Sequence, residues 1–100
     1  MRNVYENVPS NQIEKQKRYL YGAILDCLFK LEEGYPFLDN RLQNLINQVK
    51  GSNELFGYQP EVLTIVALLE TARDDHGQLR NCVLSAINLV DQLEGGDSNV

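Results

Sequence analysis

Apolar residues recur at three- and four-residue intervals along most of the chain, the spacing of one face of an α-helix. The first such run is predicted to begin after Ser10, as an N-cap, and to continue to about Glu33. Its main apolar stripe comprises Ile13, Leu20, Ile24, Cys27, Leu28 and Leu31. A second set, Tyr21, Leu25 and Phe29, recurs every four residues on an adjoining flank. This broad face predicts a helix that contacts more than one neighbour, and Gly22 between two tyrosines predicts a close helix–helix approach.

Glycine and proline predict where the first helix ends and the second begins. Gly34 and Pro36 follow the first run in the order typical of a helix C-terminus. A second helix is expected from Phe37 or Asp39 to Lys50. Its apolar side consists of Leu38, Leu42, Leu45, Ile46 and Val49. Gly51 is expected to close this helix.

The segment GSNELFGYQP, residues 51–60, is predicted to be a loop because it is rich in glycine, serine, asparagine and proline. Pro60 suits the first turn of a third helix. The apolar residues Leu55, Phe56 and Tyr58 are expected to fold back and cover the end of the helical bundle.

Residues 60–94 permit two predictions. A continuous 3,4 repeat favours one long helix with an apolar seam. This seam is formed by Val62, Ile65, Leu69, Ala72, His76, Leu79, Val83, Ala86, Val90 and Leu93. A break near Asp74–Gly77 is favoured by Gly77 and by Asp75 with Gln78 three residues later, the pattern of a capping box. One helix of this length, about 50 Å, would overhang a compact monomer and need a second chain to cover its seam.

The predicted fold is therefore all-α, an antiparallel bundle of three or four helices. Residues 10–94 are expected to form a single domain, with a flexible arm at 1–9 and a flexible tail at 95–100.

Composition narrows the classes of function. The chain has 100 residues and a net charge of −5, which disfavours nucleic-acid binding. It has neither an export signal nor an apolar stretch of about 18 residues, so membrane association is not expected and the cytoplasm is the expected compartment. Cys27 and Cys82 lack metal-ligand spacing and are expected to be buried free thiols.

The only histidine lies beside two aspartates, and Asp74, Asp75 and His76 are therefore the candidate reactive residues. Consecutive helical residues point about 100° apart, so they cannot converge on one ion if the segment is helical. The neighbours Arg73 and Arg80 would also repel a cation. We expect no catalytic residue, no metal and no cofactor.

The predicted function is a non-catalytic protein–protein interaction module, a self-associating adaptor or regulatory subunit that forms a homodimer. The seam from Val62 to Leu93, with His76 as a polar residue that could set register, is the first candidate interface. Tyr19, Tyr21, Leu25 and Phe29 on helix 1 form the second. One alternative is a neutralising protein of the immunity or antitoxin type, whose acidic surface binds a basic partner. The other alternative is a small enzyme that uses Asp74, Asp75 and His76.

Overall fold

The chain folds as a bundle of four α-helices. The computed structural model describes residues 4–93, with side chains from residue 12 onward. The helices within this range are α1 (Val4–Glu33), α2 (Leu38–Gly51), α3 (Pro60–Asp74) and α4 (Leu79–Gln92). The all-α bundle predicted from the hydrophobic pattern is confirmed, in its four-helix form.

Helix α1 starts earlier than its sequence predicts. It begins at Val4, so the expected N-cap at Ser10 is wrong, and residues 4–9 belong to the helix instead of preceding it as an arm. Pro9 is the sixth residue of this helix and lacks the N–H that would bond the carbonyl four residues earlier, and the helix continues through it. The predicted tail at 95–100 lies outside the described residues.

A short turn separates α3 from α4, so the single long helix is not formed. Asp75 has an extended backbone (φ −145°, ψ 97°), and residues His76–Gln78 make one 3₁₀ turn. The carboxylate of Asp75 accepts a hydrogen bond from the Gly77 backbone N–H at 3.0 Å. The predicted capping box is wrong in detail, because this carboxylate caps the 3₁₀ turn and the α4 N-terminus has no side-chain cap.

The predicted seam is the interior of the bundle. Its nine apolar members from Val62 to Leu93 are all buried within the chain, with at most 1% of each exposed. His76 is exposed in the turn. Because the chain reverses at the turn, the two halves of the seam lie on two antiparallel helices, and both point toward the same core. The seam therefore offers no surface to a second copy in this fold.

Polar contacts between the helices define an antiparallel ring. Gln16 of α1 contacts Ser52, and Tyr19 contacts Gln48, both near the end of α2. Further along α1, Asp26 contacts Arg41, which lies near the start of α2. Gln43 of α2 contacts Arg73 of α3. Lys17 contacts the Asp91 carbonyl and Glu32 contacts Arg80, so α4 runs antiparallel to α1. Each helix thus lies beside its neighbours in sequence, and α1 and α4 close the ring.

Two local predictions about helix contacts fail. A Cβ atom at Gly22 would meet nothing within 4 Å, so no other helix of the chain approaches this glycine closely. In the α2–α3 loop, Phe56 is fully buried as expected, but Tyr58 is 67% exposed. Tyr58 has a φ of 59°, and this left-handed backbone carries its ring away from the core.

Candidate functional site

The three candidate reactive residues bind to three different partners. Asp74 pairs with Arg73 at 3.0 Å, and this hydrogen bond lowers the pKa of the Asp74 carboxyl. Asp75 caps the 3₁₀ turn, and His76 Nε2 lies 2.6 Å from Asp39 Oδ1 on α2. All of these side chains are exposed to solvent, and they do not converge on a common point or line a cleft.

The other metal-ligating and nucleophilic side chains of residues 12–93 form no cluster either. Among the described residues, no group of three or more His, Cys, Asp or Glu side chains is placed to hold a metal ion. Cys27 and Cys82 are free and buried, as predicted. Burial raises the pKa of the Cys27 thiol to about 11, so it is protonated and unreactive near neutral pH.

A polar groove of about 500 Å³ lies between α1 and α2, along Gly22, Ala23 and Leu45. Tyr19 crosses one end of it, where its hydroxyl donates a 2.7 Å hydrogen bond to Gln48 Oε1. Arg41 and Asp26 form an ion pair within it at 3.2 Å. Two pairs of polar side chains in the groove thus bind each other, Arg18 also lines it, and Tyr19 joins two helices of the same chain.

A different surface forms where α1 meets α4. Arg80 and Asp91 of α4 both contact α1. Leu84 and Ile87 lie between them in sequence, and the four residues follow one another at intervals of four, three and four. They therefore share one side of α4. On α1, Tyr21, Leu25 and Phe29 lie between Lys17 and Glu32, the partners of Asp91 and Arg80. We call these five residues the α1–α4 apolar face: Tyr21, Leu25, Phe29, Leu84 and Ile87.

The side chains of this face are accessible to a partner. Phe29 is 53% exposed, Leu84 46% and Tyr21 37%, whereas Leu25 and Ile87 are half-buried against the core. Large apolar side chains exposed singly are common, but several that adjoin on one surface are typical of contact sites. Of the candidate interface residues, the structure therefore brings Tyr21, Leu25 and Phe29 together on one surface.

Charged residues of both signs border the α1–α4 apolar face, and on α1 alone the sign changes from one end to the other. Lys17 and Arg18 of α1 lie at the end nearer its N-terminus, beside Asp91 of α4, and Glu32 of α1 lies at the other end, beside Arg80 of α4. Arg18 forms no ion pair or hydrogen bond with another residue in the part of the chain that the structure describes. A partner helix with the polarity of α1 can therefore pair with Arg18 and Glu32 if it docks in the reverse direction.

The sequence prediction missed the α4 half of this face. Leu84 and Ile87 lie outside the apolar seam, and their only local signal is hydrophobicity off the main stripe of α4. Their place on the same surface as Tyr21 and Phe29 follows from the antiparallel packing of α1 against α4, which brings together residues 48 and 74 positions apart in sequence.

Comparisons with protein families, with curated proteins and with solved structures find no match to this chain. None of the helices within residues 4–93 combines the length and hydrophobicity required to cross a bilayer.

Proposed function

We propose that this protein is a non-catalytic interaction module that self-associates through the α1–α4 apolar face and serves as an adaptor or regulatory subunit. The observation that carries the proposal is the exposure of Phe29, Leu84 and Tyr21 on two neighbouring helices, α1 and α4, outside a buried core. Burial of such side chains stabilises an interface by about 25 cal/mol per Å² of apolar area, less the cost of association.

The face has the composition of a contact site. Two of its five residues are aromatic, and tyrosine combines a large apolar ring with a polar hydroxyl group. Its charged residues lie at the border, where water remains accessible, and not at its centre. The seam predicted from sequence is interior to the bundle, so the proposed homotypic contact is assigned to this face instead.

Two leucine substitutions of the same kind test the proposal. Leu84 belongs to the face, whereas Leu63 is 61% exposed on α3, outside the face. Sedimentation velocity of the wild-type protein is expected to give a dimer at micromolar concentrations. Leu84→Asp is expected to weaken dimerisation at least tenfold, because it places two charges in an apolar contact. Leu63→Asp should dimerise as the wild type does.

Circular dichroism of both variants must show the wild-type helix content for the comparison to count. A wild-type protein that remains monomeric at millimolar concentration would contradict self-association. Equal effects of Leu84→Asp and Leu63→Asp would contradict the assignment to this face.

The alternative proposal is a neutralising protein whose acidic surface captures a basic partner, and its support is the net charge of −5. Such a complex would weaken steeply as salt rises, whereas apolar self-association would tolerate salt. A monomeric wild-type protein with no self-association at any salt concentration would favour this alternative.

A further inference from the structure

The residues of α1 that border and form the apolar face have a symmetric arrangement. Leu25 lies at the centre, with Tyr21 four residues before it and Phe29 four residues after it. Arg18 precedes Leu25 by seven residues and Glu32 follows it by seven, so all three lie on nearly the same side of the helix. The sequence of this face thus has opposite charges at equal distances from a central leucine.

We infer that the partner of this face is a second copy of the chain, docked with the two α1 helices antiparallel about a twofold axis near Leu25. This inference rests on the proposed function and gives its geometry. The axis places Leu25 against its own equivalent and Tyr21 against Phe29 of the second copy. It also places Arg18 beside Glu32 of the second copy, twice in each dimer, since a twofold contact uses the same surface of both copies.

Existing contacts leave these charges available for such pairing. Arg18 has no ion-pair partner among residues 12–93. Glu32 uses Oε2 to bind Arg80 at 3.1 Å, so Oε1 can accept a second guanidinium group. The side chain of Glu32 is 55% exposed and is therefore reachable. A parallel arrangement would instead bring Arg18 against Arg18 and Glu32 against Glu32.

Gly22 supports the same arrangement. It lies inside a helix, is exposed, and a Cβ atom there would meet nothing within 4 Å. No contact within the chain therefore requires glycine at this position, although glycine destabilises a helix interior by up to about 1 kcal/mol relative to alanine. An antiparallel axis near Leu25 places Phe29 of the second copy close to Gly22 as well as to Tyr21, and the bare backbone at Gly22 leaves room for a large ring.

Charge reversal tests the antiparallel arrangement. Arg18→Glu and Glu32→Arg each replace two attractive pairs in the dimer with two repulsive ones, and each is expected to weaken dimerisation about tenfold. An equimolar mixture of the two variants restores attraction at both ends, so it should form a mixed dimer with near wild-type affinity. Sedimentation velocity of each variant and of the mixture measures this.

Matched controls come from the opposite side of the bundle. Lys50 and Glu70 form an exposed ion pair between α2 and α3 at 3.9 Å. Lys50→Glu and Glu70→Arg make the same charge changes there and should leave dimerisation within about twofold of the wild type. Circular dichroism confirms that all four variants fold.

The outcomes separate this inference from the proposed function. If Leu84→Asp prevents dimerisation but Arg18→Glu and the mixture behave as the wild type does, the face is the contact and the antiparallel arrangement is overturned. If the wild type is monomeric at millimolar concentration, both are overturned. Weakening by the single variants with recovery in the mixture supports both.

Discussion

Cys27 shows how a single side chain responds to the core around it. It lies on the buried side of α1 with none of its surface exposed, and Sγ lies 3.5 Å from the Ala23 carbonyl. Burial raises the pKa of the thiol to about 11, and the nearby Arg41 only partly opposes this effect. The sequence predicts the burial, because Cys27 continues an apolar stripe. It could not predict the proximity of Arg41, which lies on another helix.

The raised pKa of Cys27 predicts a loss of stability in alkaline solution. Below pH 9 the thiol is protonated in both the folded and the unfolded chain. Between pH 9 and about 11 the unfolded thiol ionises while the folded one does not, so the free energy of unfolding falls as pH rises. Urea unfolding of the wild type and of Cys27→Ala across this range measures the effect.

All other side chains are shared by the two proteins, so their contributions cancel in the comparison. The difference in unfolding free energy between wild type and Cys27→Ala should therefore decrease with pH. A difference that stays constant from pH 8 to pH 11 would show that the thiol ionises equally in both states.

One glycine lies within helix α1 and another directly follows the helix, and their structural roles are opposite. Gly34 follows the helix with a φ of 74°, a left-handed conformation that glycine adopts without strain. Gly22 lies in the middle of α1 with ordinary helical backbone and open space around it. The sequence predicts the role of Gly34 from its position before Pro36, but the surroundings of Gly22 depend on how α2 packs.

Alanine at these two glycines is expected to change stability in opposite directions. Gly22→Ala should raise the free energy of unfolding by about 0.5–1 kcal/mol, because alanine favours a helix and has room for its methyl group. Gly34→Ala should lower it by about 1 kcal/mol, because the left-handed backbone strains any side chain with a Cβ atom. Urea unfolding at low protein concentration measures both, and a decrease for Gly22→Ala would indicate a close intrachain neighbour.

The boundary between α3 and α4 explains why the sequence of residues 60–94 permits two predictions, one long helix or two shorter ones. The 3,4 spacing continues through His76, although the backbone reverses at Asp75. Both helices bury their apolar side in the same core, and the four residues of the turn happen to keep the phase. Periodicity reports which residues are buried, and it does so correctly here for nine seam positions. It does not report whether they belong to one helix or two.

At the scale of the whole molecule, self-association couples stability to concentration. A dimer of folded chains is favoured by mass action, so the melting temperature of the wild type should rise with protein concentration. Above the dissociation constant, a tenfold increase should raise it by about 3–4 °C for a chain of this size. Leu84→Asp should melt at the same temperature throughout, and an unchanged wild-type melting temperature would contradict dimerisation.

The ring of helices closes between α1 and α4, the elements furthest apart along the chain. The other neighbouring pairs follow one another in sequence and can form through short loops, so α1 meeting α4 requires the longest loop closure. That contact also assembles the surface to which α1 contributes Tyr21 and Phe29 and α4 contributes Leu84. A nascent or partly unfolded chain lacks the complete surface, so only chains in which α1 has packed against α4 would associate through it.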